Sequence, residues 1–119
     1  MLDRIIFLSA AMLVASSALA SDGRIANKQA FINQIVGKKI SFPNGAHFIF
    51  SKNGKWSGGN KNISGSGKWY WENGRLCRTG KWAGKELPLD CQEYYVVGNE
   101  VAYVRDYGKG SFVTGQFAQ

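Results

Sequence analysis

Gly67-Lys68-Trp69-Tyr70-Trp71-Glu72-Asn73-Gly74-Arg75-Leu76-Cys77 decides the fold. In an extended chain successive side chains point to opposite faces, so Trp69 and Trp71 share one side while Lys68 and Tyr70 take the other. Asn73-Gly74 supplies the pair of positive-φ residues that a type I′ hairpin turn requires. Beyond the turn, Leu76 opposes Arg75 and Cys77. The stretch is a β-hairpin with an aromatic core face.

The pattern extends in both directions. Gly-Lys-Trp recurs at Gly54-Lys55-Trp56, Gly67-Lys68-Trp69 and Gly80-Lys81-Trp82, an interval that suits one short strand plus one turn. Lys39 to Phe42 stops at Pro43-Asn44-Gly45, and Asn44-Gly45 and Asn53-Gly54, like Asn73-Gly74, are expected to form type I′ hairpin turns. Ala46 to Ser51 sets Phe48 and Phe50 against His47 and Ile49, then stops at Lys52-Asn53-Gly54. Cys91 to Val97 ends at Gly98-Asn99, Glu100 to Arg105 ends at Asp106-Tyr107-Gly108, and Ser111 to Gln116 follows. No segment offers the helical crossover of a parallel sheet. The expected fold is all-β, an antiparallel meander of seven or eight short strands forming a barrel-like or strongly curled sheet. Trp69, Trp71, Leu76, Phe48 and Phe50 are the expected core. By alternation Arg78 falls on the face of Leu76, and Arg105 on that of Val101 and Tyr103.

Gly58 to Asn62, Ser64 to Gly67, and Lys81 to Asp90 with its Pro88 read as loops or mobile edges. The three tryptophan triplets read as core and near-core positions rather than a ligand-stacking ladder, with Trp56 and Trp82, flanked by glycine and near loops, the two that remain candidates for surface work. Before the strands, Phe31, Ile32, Ile35 and Val36 form one helical stripe, with Asn27 as N-cap and Gly37 at the C-terminal cap. So short a helix must dock on the sheet.

The chain begins with a cationic n-region at Arg4, an apolar run from Ile5 to Val14 broken by Ser9, and Ala18-Leu19-Ala20 as a small-x-small cleavage site. Residues 1–20 therefore read as a signal peptide, 21–37 as an N-terminal segment with the short helix, and 38–119 as one β domain. Ser21 is the expected mature N-terminus, and the location periplasmic or secreted. In such a compartment Cys77 and Cys91, the chain's two cysteines, are expected to form a disulfide.

Formal net charge is +7, which favours anionic partners, but the basic residues are scattered and Lys38-Lys39 is the longest run. The clusters that mark nucleic-acid arms are absent. One histidine, His47, has no neighbouring carboxylate, and Asp90 and Glu93 are the nearest approach to a paired-carboxylate motif. No metal-ligand cluster or phosphate loop is legible, so no catalytic residue, metal or cofactor is expected. Outward-facing Lys68 and Tyr70, with Arg75 across the turn, form a candidate basic-aromatic ligand patch.

Gly37, Asn53-Gly54, Gly67-x-Trp69, Gly74-Arg75-Leu76-Cys77 and Cys91 occur in an order that resembles a family of small exported proteobacterial proteins of unknown function. The resemblance spans Val36 to Gly115 and implies compartment and fold without a mechanism. The expected function is that of a non-catalytic exported β-domain binding an anionic envelope component or a protein partner. The alternative is an inhibitor of a secreted enzyme acting through the 81–89 loop.

Overall fold

Period-two alternation closes on itself. The computed structural model describes residues 22–119, so the expected signal peptide and cleavage point lie outside the described residues. Eight strands follow one another in sequence order: β1 (Ile40–Ser41), β2 (His47–Phe50), β3 (Lys55–Gly59), β4 (Ser64–Glu72), β5 (Arg75–Trp82), β6 (Lys85–Val97), β7 (Glu100–Val104) and β8 (Phe112–Phe117). Each pairs antiparallel with the next, and β1 returns to β8 through Ile40↔Phe117 and Ser41↔Gln116, giving a closed barrel. Closure removes the free edges that an open sheet would expose. Cys77 and Cys91 face each other across β5 and β6 and are disulfide-bonded.

One end of the barrel is stoppered. Helix α1 (Lys28–Gln34) is capped by the Asn27 side chain, which accepts from the Ala30 amide at 2.9 Å, and Gly37 lies at φ +85°. Phe31 is fully buried, its ring 5.3 Å from those of Phe50, Trp69 and Trp71 and 5.5 Å from that of Tyr94. The helix thus borrows its stability from the barrel interior. Upstream, Ile25 donates to the Tyr94 carbonyl at 2.8 Å and Val96 to that of Gly23 at 2.9 Å. The β5–β6 ladder ends at Leu76↔Gln92, so these residues cover an edge of β6 that β5 leaves bare.

Several expectations are corrected. Of the Asn-Gly pairs, Asn73-Gly74 has both residues at positive φ (51° and 76°), as type I′ requires. Asn44 and Asn53 instead accept the amides of Ala46 and Lys55 in Asx turns within longer connections. The Lys81 to Asp90 stretch is not a loop. It is the far end of the β5–β6 ladder, with Trp82↔Lys85 closed by Ala83-Gly84 at φ 55° and 79°. Alanine carries no turn signal, which hid this hairpin. Pro88, which has no amide to donate, sits in the bulge where the register shifts opposite Arg78 and Gly80.

Of the glycine-serine stretches, Gly58-Gly59 and Ser64 to Gly67 are strand as well, at the end of β3 and the start of β4, while Asn60 to Asn62 lie in the connecting loop as expected. Trp56 explains why. Its ring is buried inside the barrel at 6% exposure, and Nε1 donates to the Thr79 carbonyl at 2.8 Å. A Cβ on Gly67 would stand 2.7 Å from that nitrogen, and one on Gly80 2.8 Å from Trp56 Cζ2. These glycines are seats for an indole, not hinges, and Trp56 is a core position rather than a surface one.

Candidate functional site

Inward positions differ between the two halves of the barrel. Towards the helix they carry Ile40, Phe50, Trp69, Leu76 and Val101, all buried, and that half is filled. Towards the loops at 42–46 and 105–111 the inward list includes Gly58, Gly65, Gly67, Gly80 and Gly115. An eight-stranded barrel is wide enough for its side chains to fill, or to hold one small ligand where they do not. That half holds an open cavity of about 570 Å³, and the glycines beside it are where Trp56, Trp82 and Phe42 lie against bare backbone.

Tyr94 and Tyr103 floor the cavity, stacked at 5.3 Å with 20° between their planes. Tyr94 also packs edge-on against Phe31, so its ring divides mouth from plug. Phe42, Phe48 and Trp56 line the β1–β3 side, with Trp82 and Leu87 at the β5–β6 rim. Arg78, Gln92 and Arg105 supply the polar wall. In an eight-strand ring β2 stands across from β6, so an aromatic wall faces a cationic one.

The electrostatics follow from how the one nearby carboxylate is occupied. Asp90 accepts from Gln92 Nε2 and from the Asp106 amide, each at 2.9 Å. Arg78 donates through Nη1 to the Pro88 carbonyl at 2.7 Å, and Arg105 lies over the Tyr103 ring at 5.8 Å. Neither guanidinium has a carboxylate within salt-bridge distance among the described residues. Burial raises the Tyr94 hydroxyl well above its ordinary pKa. Tyr103 and Asp90 add to that rise, while Arg78 and Arg105 oppose it.

The patch expected from sequence lies outside the barrel. Lys68 and Tyr70 are exposed on the outer face of β4. Arg75 pairs with Glu72 in register, and its guanidinium meets Glu93 Oε2 at 3.1 Å and lies over the Tyr107 ring at 6.0 Å. Glu93 also binds Arg24 at 3.4 Å, so one carboxylate ties the N-terminal segment to β5. Asp90 and Glu93 project from opposite faces of β6, one towards the mouth and one outward. Such a pair cannot flank one bond.

Sequence reasoning passed over Arg78 and Arg105, although alternation put both on core-facing sides of their strands. A cation on an otherwise apolar inner face is the signal that marks a polar cavity wall. Comparison with known proteins finds no family model, no curated protein and no solved structure that matches this chain. Among the described residues no helix is long and apolar enough to cross a membrane.

Proposed function

We propose that this protein is a non-catalytic exported binding barrel, periplasmic or secreted, that receives a small anionic component of its surroundings in the open end. The observation that carries the reading is the unfilled mouth, walled by aromatic rings and furnished with two arginines that have no carboxylate within salt-bridge distance among the described residues. Concave, mostly apolar sites with a few convergent polar groups are where small ligands bind. The leader-like sequence and the Cys77–Cys91 bond support an oxidising compartment. The expected anionic partner thus acquires an address inside the barrel rather than on its outer face.

The test is calorimetric titration with 1-anilinonaphthalene-8-sulfonate. One site per chain is expected, weakened about tenfold or more by Ala46→Trp, which narrows the rim. An absence of saturable binding, or affinity unchanged by Ala46→Trp, refutes the reading.

A further inference from the structure

Three features of the mouth restrict what fits. The first is charge. Arg78 and Arg105 line the mouth with two positive charges, and Asp90, held behind the lining by Gln92 and the Asp106 amide, offsets one of them, so the excess is one. Arg78 is already oriented by the Pro88 carbonyl through Nη1, which leaves its other N–H donors open. A guanidinium presents donors in a planar fork that matches a carboxylate. One carboxylate balances the wall, whereas a dianion or a polyanion overloads it.

Depth is the second feature. The cavity runs along β2 from Ala46 to Phe50 and stops at the Tyr94 and Tyr103 rings. At ~3.3 Å per residue this is about 13 Å, and the plug behind Tyr94 gives a long extended chain nowhere to continue. Third is the indole surface beside Arg78 on β5. Trp56 lies against Gly67 and Gly80, and a Cβ on Gly65 would stand 3.1 Å from Trp82 Cζ3. Indoles seated against bare backbone offer rigid, flat contact area, which a second flat ring covers well.

We infer that the open end of the barrel binds a flat aromatic monocarboxylate, its ring on the Trp56 and Trp82 side and its carboxylate between Arg78 and Arg105. This inference rests on the binding-barrel reading and specifies the ligand class. Tyr103 beneath Arg105 holds that guanidinium by a cation–π contact, and Gln92 adds an amide beside Arg78.

The experiment is a calorimetric series on the folded, oxidised protein with 2-naphthoate, 2-naphthalenemethanol, naphthalene-2,6-dicarboxylate and decanoate. 2-Naphthoate is expected to bind at least about tenfold more tightly than the neutral alcohol, because a hydrogen bond to an ionised group is worth roughly one decade or more. It should also outbind both the dianion and the linear acid. Arg78→Gln and Arg105→Gln should each erase about tenfold for 2-naphthoate and leave the alcohol unchanged. Circular dichroism checks both folds, and the exposed Arg105 keeps the test available if Arg78→Gln unfolds. Decanoate or the dianion matching 2-naphthoate overturns the ligand class while the binding-barrel reading stands. So does an equal loss for acid and alcohol in the variants. Failure of every member, with 1-anilinonaphthalene-8-sulfonate also silent, overturns both.

Discussion

Phe31→Ala is the most informative single substitution for the fold. Phe31 has no exposed surface and touches four aromatic rings at 5.3 to 5.5 Å, contributed by β2, β4 and β6. Truncating a fully buried phenylalanine costs about 3–5 kcal/mol. Two of the contacts are edge-on pairs, each adding ~0.5–1.5 kcal/mol beyond area burial, which places this site near the upper end of that range. The rigid barrel walls cannot collapse inward to refill the space, and the short helix has no independent stability to fall back on. About 5 kcal/mol in a domain of this size corresponds to a fall in Tm of roughly 20–40 °C. Urea unfolding followed by tryptophan fluorescence gives the free energy, with Phe112→Ala as the control. Phe112 is 63% exposed, and its truncation should stay within about 0.5 kcal/mol of wild type. A loss below about 1 kcal/mol for Phe31→Ala would show that the helix is an appendage, and the account of the closed end would fail.

Further outcomes are expected. Thiol titration of the unfolded, unreduced chain should find no free thiol, and Cys77→Ser should lower stability by about 2–4 kcal/mol in urea unfolding. Mass spectrometry of exported protein should give a chain beginning at Ser21; a mass that includes Met1 would refute the cleavage site. The Tyr94 pKa is raised by folding, so its contribution is fully present below the unfolded value near 10.0 and is lost as pH climbs towards the folded one. Stability should therefore decline above about pH 10, and Tyr94→Phe should flatten that part of the profile. On an anionic matrix, Lys68→Ala/Arg75→Ala should lose no more salt-resistant retention than Lys28→Ala/Lys109→Ala, since Glu93 already engages Arg75. A much larger loss would move the anion site to the outer face.

Much of this fold is legible because alternation and turn chemistry agree. Trp69, Leu76 and Phe50 point inward as their strand periods require, and Asn73-Gly74 turns where two positive φ values are needed. Errors gathered where one side chain reaches across to another strand. The flexibility that composition suggests for Ser64 to Gly67 vanishes once Trp56 from β3 lies on Gly67 and Gly80, a contact that no local window contains. Likewise the Ala83-Gly84 turn owes its positive φ to the long β5–β6 ladder, which overrides alanine's reluctance. The candidate site was half legible. Arg78 and Arg105 sit on core-facing positions in the sequence pattern, yet a cation on such a face reads as a register break until the open mouth it lines is known. The outward patch of Lys68, Tyr70 and Arg75 drew attention because exposure is easier to read than emptiness.

The most direct measurement is a two-dimensional nitrogen–proton NMR titration with 2-naphthoate, following side-chain N–H signals. The account predicts shifts at Nε of Arg78 and Arg105 and at the indoles of Trp56 and Trp82. It predicts none at the indole of Trp69, which is tied to the Ser51 carbonyl at 2.9 Å in the plugged half. Shifts confined to the outer-face guanidiniums of Arg24 and Arg75, which pair with Glu93, or spread evenly over all four indoles, would contradict it.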